Sequence, residues 1–127
     1  MLHVEDDLDT VHLIKLQLDE VVDFQYAASV NEARKILLDE EFDLVILDLA
    51  LPDGSGLTLL RELQDLCLVV IYSGQEVPAE INKQVAAALT KSAIGSDQLI
   101  STLKRILEHK SHCASFGGGA VGEYRRL

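Results

Sequence analysis

The sequence predicts an α/β protein, a doubly wound layer of five parallel strands with helices on both faces. Three observations predict it. Short apolar runs alternate with stretches of helical period along most of the chain. The clearest runs are continuous in Leu, Val and Ile rather than alternating with polar residues, as in strands buried on both faces of a parallel sheet. The length of 127 residues suits one domain that buries roughly two thirds of its unfolded surface.

The elements follow in order. Leu2–Val4 is a short first strand running into Glu5, Asp6 and Asp7. Apolar residues at Leu8, Val11, Ile14 and Leu18 then mark a helix, with Asp7 or Asp9 able to cap it. Val22–Ala27 is a second, less regular strand. Ser29 or Asn31 starts a helix whose inner face carries Ala33, Ile36 and Leu37. The third strand, Leu44–Leu47, leads to Asp48, and the turn residues Pro52, Asp53, Gly54 and Gly56 precede a helix through Leu59, Leu60 and Leu63. Leu66–Tyr72 is a fourth strand closed by Ser73 and Gly74. A short helix occupies Ala79–Gln84, and Val85–Leu89 is a fifth strand ending at Thr90 and Lys91. Ser96 caps a last helix with Leu99, Leu103, Ile106 and Leu107 on one stripe.

Beyond His109 the period disappears and Gly117, Gly118 and Gly119 follow each other. The expected organisation is therefore a domain over 1–109 and a flexible tail or linker over 110–127, with no internal repeat and no second domain.

Composition excludes several functions. The formal net charge is −10, which opposes direct binding to a phosphate backbone and favours divalent cations or basic partner surfaces. Aromatic residues make up 5% of the chain and there is no Trp, so a base-stacking platform is not available. No signal peptide is visible, and no apolar run approaches the roughly 18 residues of a membrane helix. Cys67 and Cys113 do not form a disulfide framework, which makes a reducing cytoplasm the expected setting. The spacing of His109, His112 and Cys113 lacks the second cluster a zinc site would need.

The polar residues at the strand ends carry the functional signal. In a sheet of this kind ligands bind outside the carboxyl ends of the strands. There the first, third, fourth and fifth strands deliver Glu5 and Asp6, Asp48, Ser73 and Lys91. Carboxylates converging in one cleft repel one another, and a small hard cation relieves that repulsion. Mg²⁺ prefers oxygen ligands, keeps several waters and takes one or two protein carboxylates, which suits an open site with room for a phosphate-bearing ligand. A lysine ammonium, a serine hydroxyl and the uncrowded backbone of Gly74 complete a set matched to a phosphoryl group in transfer. With no Walker loop and no nucleophile elbow in the sequence, Asp48 is the natural nucleophile, forming an aspartyl phosphate.

The segments "HVEDD", "LVILDLALPDGSG", "IYSG" and "LTKS" together resemble the receiver domains of two-component response regulators, over about residues 2–109. The resemblance implies the flavodoxin-like form of the fold and phosphorylation of Asp48 by a histidine kinase or a histidine phosphotransfer protein. It implies that Asp6, Asp48 and the backbone carbonyl of Ala50 hold Mg²⁺, with Glu5 acting mainly through water, and that Ser73 and Lys91 hold the phosphoryl oxygens. Such a domain is a phosphoacceptor in signalling rather than an enzyme. The "LTKS" variant and the Ala-rich fifth strand look like receivers attached to hybrid sensor histidine kinases.

The chain departs from the family at several points. The intervals from Asp48 to Ser73 (73 − 48 = 25) and from Ser73 to Lys91 (91 − 73 = 18) are a few residues short. The third and fourth helices are where the shortening is expected. Ser92 stands where a proline usually follows the lysine, and Ala88 where many receivers have the switching Tyr or Phe, so the usual Ser/Thr–aromatic relay is in question.

Two rival functions remain at this stage. A degenerate receiver would serve only as a docking or dimerisation module. A haloacid-dehalogenase-like phosphatase would need a second acid two residues after Asp48, where this chain has Ala50.

Overall fold

The computed structural model describes residues 1–18, 22–63, 66–91 and 95–116, with the backbone alone at 96 and 109–116. The strands are β1 (Leu2–Val4), β2 (Gln25–Ala27), β3 (Leu44–Leu47), β4 (Ala50–Leu51), β5 (Gly54–Ser55), β6 (Leu68–Ser73) and β7 (Ala87–Thr90). The helices are α1 (Leu8–Leu18), α2 (Val30–Asp39), α3 (Leu57–Leu63), α4 (Ala79–Asn82) and α5 (Ser96–Phe116).

β2, β1, β3, β6 and β7 form one parallel sheet in that order. The chain starts next to the middle of the sheet, winds outward to β2, then returns past β1 to β3 and continues to β7. The strand order reverses between β1 and β3, and sheets of this kind bind ligands beyond the strand ends at such a point. β4 and β5 make a separate antiparallel hairpin just after β3, where the sequence predicts only a turn. Pro52 and Asp53 occupy its tip and Gly54 takes a φ of 148°, a conformation that favours glycine.

Alternate residues of the strands feed two cores. On one face Val4, Val45, Leu47, Val69 and Ile71 pack with Ala33 of α2 and with Leu59, Leu60 and Leu63 of α3. On the other, Leu44, Ile46, Val70 and Tyr72 pack with Ile14 and Leu18 of α1 and with Leu99, Leu103 and Leu107 of α5. Both β1 and β3 are fully covered, which is why β3 is an unbroken apolar run and the one polar residue of β1, His3, is buried.

Most expected elements are present, with differences at their ends and edges; β6 and β7, for example, start two residues later than expected, at Leu68 and Ala87. Leu8 opens α1 but is 47% exposed, so the buried stripe of that helix is Val11, Ile14 and Leu18. The second strand pairs only over Gln25–Ala27, at the sheet edge. The position before α5 is filled by Gly95, whose carbonyl accepts from the Leu99 N–H at 3.3 Å, rather than by Ser96. α4 is a single turn, and β7 beside it is only half-buried along its length. The expected boundary at residue 109 falls within α5, whose backbone continues to Phe116. Residues 117–127 and Ser92 lie outside the described residues, as do the side chains of His109, His112 and Cys113. Among the described residues no helix is long and apolar enough to cross a membrane.

Candidate functional site

The parallel register aligns the strand ends. Val4 pairs with Leu47, so Glu5 and Asp48 emerge side by side one residue later. Ser73 pairs with Thr90, which puts Lys91 one step beyond it on the neighbouring strand. Backbone hydrogen bonds hold these exits in place: Glu5 N–H donates to the Ala27 carbonyl (2.9 Å), Asp48 N–H to that of Val4 (3.0 Å) and Lys91 N–H to that of Ser73 (2.8 Å).

Glu5, Asp48 and Ser73 are buried, while Asp6 is exposed at the mouth. One carboxylate oxygen each from Glu5, Asp6 and Asp48 lie within 4.8 Å of one another. The Lys91 ammonium reaches across, 2.5 Å from Glu5 Oε1 and 3.4 Å from Asp48 Oδ2. Its position 5.7 Å from the centre of the Tyr72 ring adds a cation–π contact that the sequence did not reveal. The second Glu5 oxygen accepts from the Asp7 N–H at 3.2 Å, and Asp48 Oδ1 accepts from the Ala50 N–H at 3.2 Å. Ser73 Oγ accepts from the N–H groups of Leu49 (3.4 Å) and Gln75 (3.3 Å), which orients the hydroxyl between the two loops. A Cβ on Gly74 would meet nothing within 4 Å, so the space over that backbone is open.

Burial pushes the Glu5 carboxyl up to about 7; the hydrogen bond from Lys91 works against the shift, and the neighbouring Asp48 adds to it. Burial also works against the Lys91 charge, but the hydrogen bond and charge of Glu5, with Asp48 behind it, outweigh that and raise its pKa. On the adjoining face of β1, His3 is fully buried edge-on to Phe24, as expected of a packed strand residue. Burial first, and then the charge of Lys91, lower its pKa to about 4.

The sequence missed two residues of the surrounding frame. Asp53 does more than serve its turn: its carboxylate accepts from the N–H groups of Val30 (2.8 Å) and Asn31 (3.0 Å) at the start of α2. Gly56 is needed because a Cβ there would lie 2.1 Å from the backbone oxygen of Asp48, and its N–H closes the hairpin onto the Leu49 carbonyl at 3.0 Å. The density of turn residues marked this segment, but its distant partners had no local signal.

Oxygen donors alone, close together and bearing excess negative charge, fit a hard divalent cation such as Mg²⁺. Asp7, by contrast, caps α1 through the Asp9 N–H (3.2 Å) and the Thr10 hydroxyl (2.8 Å).

An acid pocket at the switch point of a parallel sheet, with one ammonium across it, is an arrangement able to hold a divalent cation beside an anion. The response regulator receiver domain family matches residues 1–104, and the chain belongs to that family. Receiver domains are signalling domains of two-component systems and bind Mg²⁺ at an acidic site of this kind. The chain is 30% identical over 112 residues to the regulatory protein VanR of Enterococcus faecium, covering 85% of this chain and 45% of that protein. It spans less than half the length of the curated relatives it matches. Among solved structures it is similar to a CheY-like receiver domain from Methylobacillus flagellatus (28% identity, TM-score 0.70, covering 85% of this chain and 94% of that one). It is likewise similar to a sensor protein from Polaromonas sp. JS666 (28% identity, TM-score 0.69, 85% and 94%).

Proposed function

We propose that Asp48 accepts a phosphoryl group from a phosphohistidine of a histidine kinase or phosphotransfer protein. The observation that carries the reading is the buried Asp48 carboxylate, grouped with the acids Glu5 and Asp6 and facing the Lys91 ammonium. One Asp48 carboxylate oxygen attacks phosphorus in line; the P–O bond forms as the P–N bond breaks, and the leaving imidazole keeps the electron pair and takes a proton from solvent. Asp6, Asp48 and the Ala50 carbonyl would hold Mg²⁺, with Glu5 acting through water; such a cation would supply positive charge to offset that of the phosphoryl group.

Lys91 then leaves Glu5 Oε1 for a phosphoryl oxygen, while the Ser73 hydroxyl and the open Gly74 backbone receive another. The domain is assigned to 1–109, with 110–127 as a tail or linker that begins within the last turns of α5. The "LTKS" segment, the Ala-rich β7 and the likeness to a sensor protein support attachment to a hybrid histidine kinase working in the cytoplasm.

The test is incubation with acetyl phosphate and Mg²⁺, with mass spectrometry to locate the label. Wild type should gain one phosphoryl group on Asp48, and Asp48→Asn none; undiminished labelling of that variant refutes the assignment. A docking module that is never phosphorylated is the second reading, favoured by the single-turn α4 and the Ala88 substitution. It predicts no labelling in either protein. Sustained turnover of a generic phosphomonoester would instead indicate a phosphatase.

A further inference from the structure

Asp53 stands outside the acid pocket, yet it is tied to the pocket through one short hairpin. The tie begins at Asp48, whose Oδ1 accepts from Ala50 N–H, so the first residue of β4 is set by the side chain of the phosphoacceptor position. β4 and β5 then pair in register, Ala50 with Ser55 and Leu51 with Gly54. At the base, Gly56 packs directly on the Asp48 carbonyl. At the tip, both Asp53 oxygens hold the N–H groups of Val30 and Asn31.

These are two of the orphan donors that every helix start leaves. The next, Glu32 N–H, goes to Ser29 Oγ at 3.1 Å, and Ala33 N–H begins the helical ladder on the Ser29 carbonyl. The start of α2 is therefore capped twice: locally by Ser29, and from 22 or 23 residues away by Asp53. A helix needs only local caps to form. The distant one makes the position of the hairpin and that of α2 depend on each other.

We propose that Asp53 is a positioning residue: by clamping the hairpin tip to α2 it holds the Ala50 carbonyl and the Asp48 carboxylate in register for a divalent cation, and it transmits occupancy of the pocket to the start of α2. This rests on the proposed assignment of Ala50 and Asp48 to the cation site. It also offers a mechanical route that does not require the aromatic missing at position 88. The coupling is reciprocal: if the clamp aids cation binding, cation binding must strengthen the clamp by the same factor.

The test compares wild type, Asp53→Ala and Ser29→Ala, using Mg²⁺ titrations followed by thermal midpoint and by amide hydrogen exchange. Ser29→Ala removes the local cap of the same helix and leaves the hairpin untouched, so it reports what loosening α2 does by itself. Asp53→Ala should raise the Mg²⁺ concentration at half-saturation about fivefold or more, and Ser29→Ala less than twofold. In wild type, saturating Mg²⁺ should slow exchange of the Val30 and Asn31 amides, and Asp53→Ala should abolish that slowing.

Equal half-saturation in wild type and Asp53→Ala, equal effects of the two variants, or no Mg²⁺ binding by wild type would each overturn the proposal. Acetyl-phosphate labelling is scored separately. Wild type that binds Mg²⁺ in the expected pattern but takes no label would refute the phosphoacceptor reading and leave the clamp standing.

Discussion

Replacing Lys91 by Met gives the most exacting test of the pocket's electrostatics. Methionine keeps an apolar stem over the Tyr72 ring and removes the ammonium that faces both buried carboxylates. Glu5 carries the argument, because its folded pKa is about 7 against an ordinary 4.5. With the folded pKa raised, the stability it contributes is complete below 4.5 and is lost as pH rises to about 7. At about 1.4 kcal/mol per unit, that loss amounts to about 3 kcal/mol. Above this range wild type loses nothing more from Glu5, because the ionised carboxylate rests on Lys91. Without the ammonium the folded pKa moves higher, and the loss continues at about 1.4 kcal/mol for each further pH unit. Urea melts in chelator should therefore show a gap between wild type and Lys91→Met about 1.4 kcal/mol larger at pH 8 than at pH 6, roughly 5 °C in Tm for a domain of this size. Added Mg²⁺ should close most of the pH-dependent difference, since a divalent cation restores the missing positive charge. A gap that is the same at both pH values, with or without Mg²⁺, refutes the account.

His3 predicts the opposite slope. Its folded pKa of about 4 lies below the ordinary 6.5, so its contribution is present above 6.5 and lost as pH falls toward 4, by about 3 kcal/mol in all. His3→Leu should remove that acid-side loss in urea melts between pH 7 and pH 4.5; an unchanged acid limb would mean that another group controls it. Gly56→Ala forces a Cβ to within 2.1 Å of the Asp48 carbonyl, and the backbone must yield. It should cost about 1–3 kcal/mol in a chemical melt and slow acetyl-phosphate labelling; wild-type stability and rate together would show that the hairpin base is loose.

The sequence made the sheet legible because its signal is local. β3 and Val69–Tyr72 of β6 are runs buried on both faces, and the strand ends were expected to meet because a doubly wound order leaves little choice. Glu5, Asp6, Asp48 and Lys91 were accordingly expected in one crevice, and they are there. What escaped depends on packing between distant segments. Leu8 has the right period for the core stripe, but it sits in the first turn of α1, above the edge of the core. Ser96 is a better cap by residue type than Gly95, yet α5 already includes Ser96, and the Gln98 and Leu99 N–H groups donate to the Gly95 carbonyl. Asp53 looks like any acid in a Pro-Asp-Gly turn, because nothing in its neighbourhood indicates that the start of α2 lies beside it.

The acid pocket is better explained by function than by fold. Polar residues commonly end strands, so Asp48 by itself would mean little. Glu5, however, is fully buried, and burial pushes its carboxyl up to about 7, so the folded domain resists ionising it at neutral pH. Apolar residues of similar volume at buried charged positions are often neutral or stabilising. A chain shaped only for stability has no need of a second acid beside Asp48, nor of a lysine stretched between the two. The arrangement is useful if the pocket must accept more positive charge and more oxygen atoms than the chain itself supplies. Lys91 compensates the two carboxylates unequally, at 2.5 Å from Glu5 and 3.4 Å from Asp48, and in the function proposed above it would turn to an arriving anion once a cation had taken over the acids. On that proposal, the cost of holding these acids together would favour filling the site.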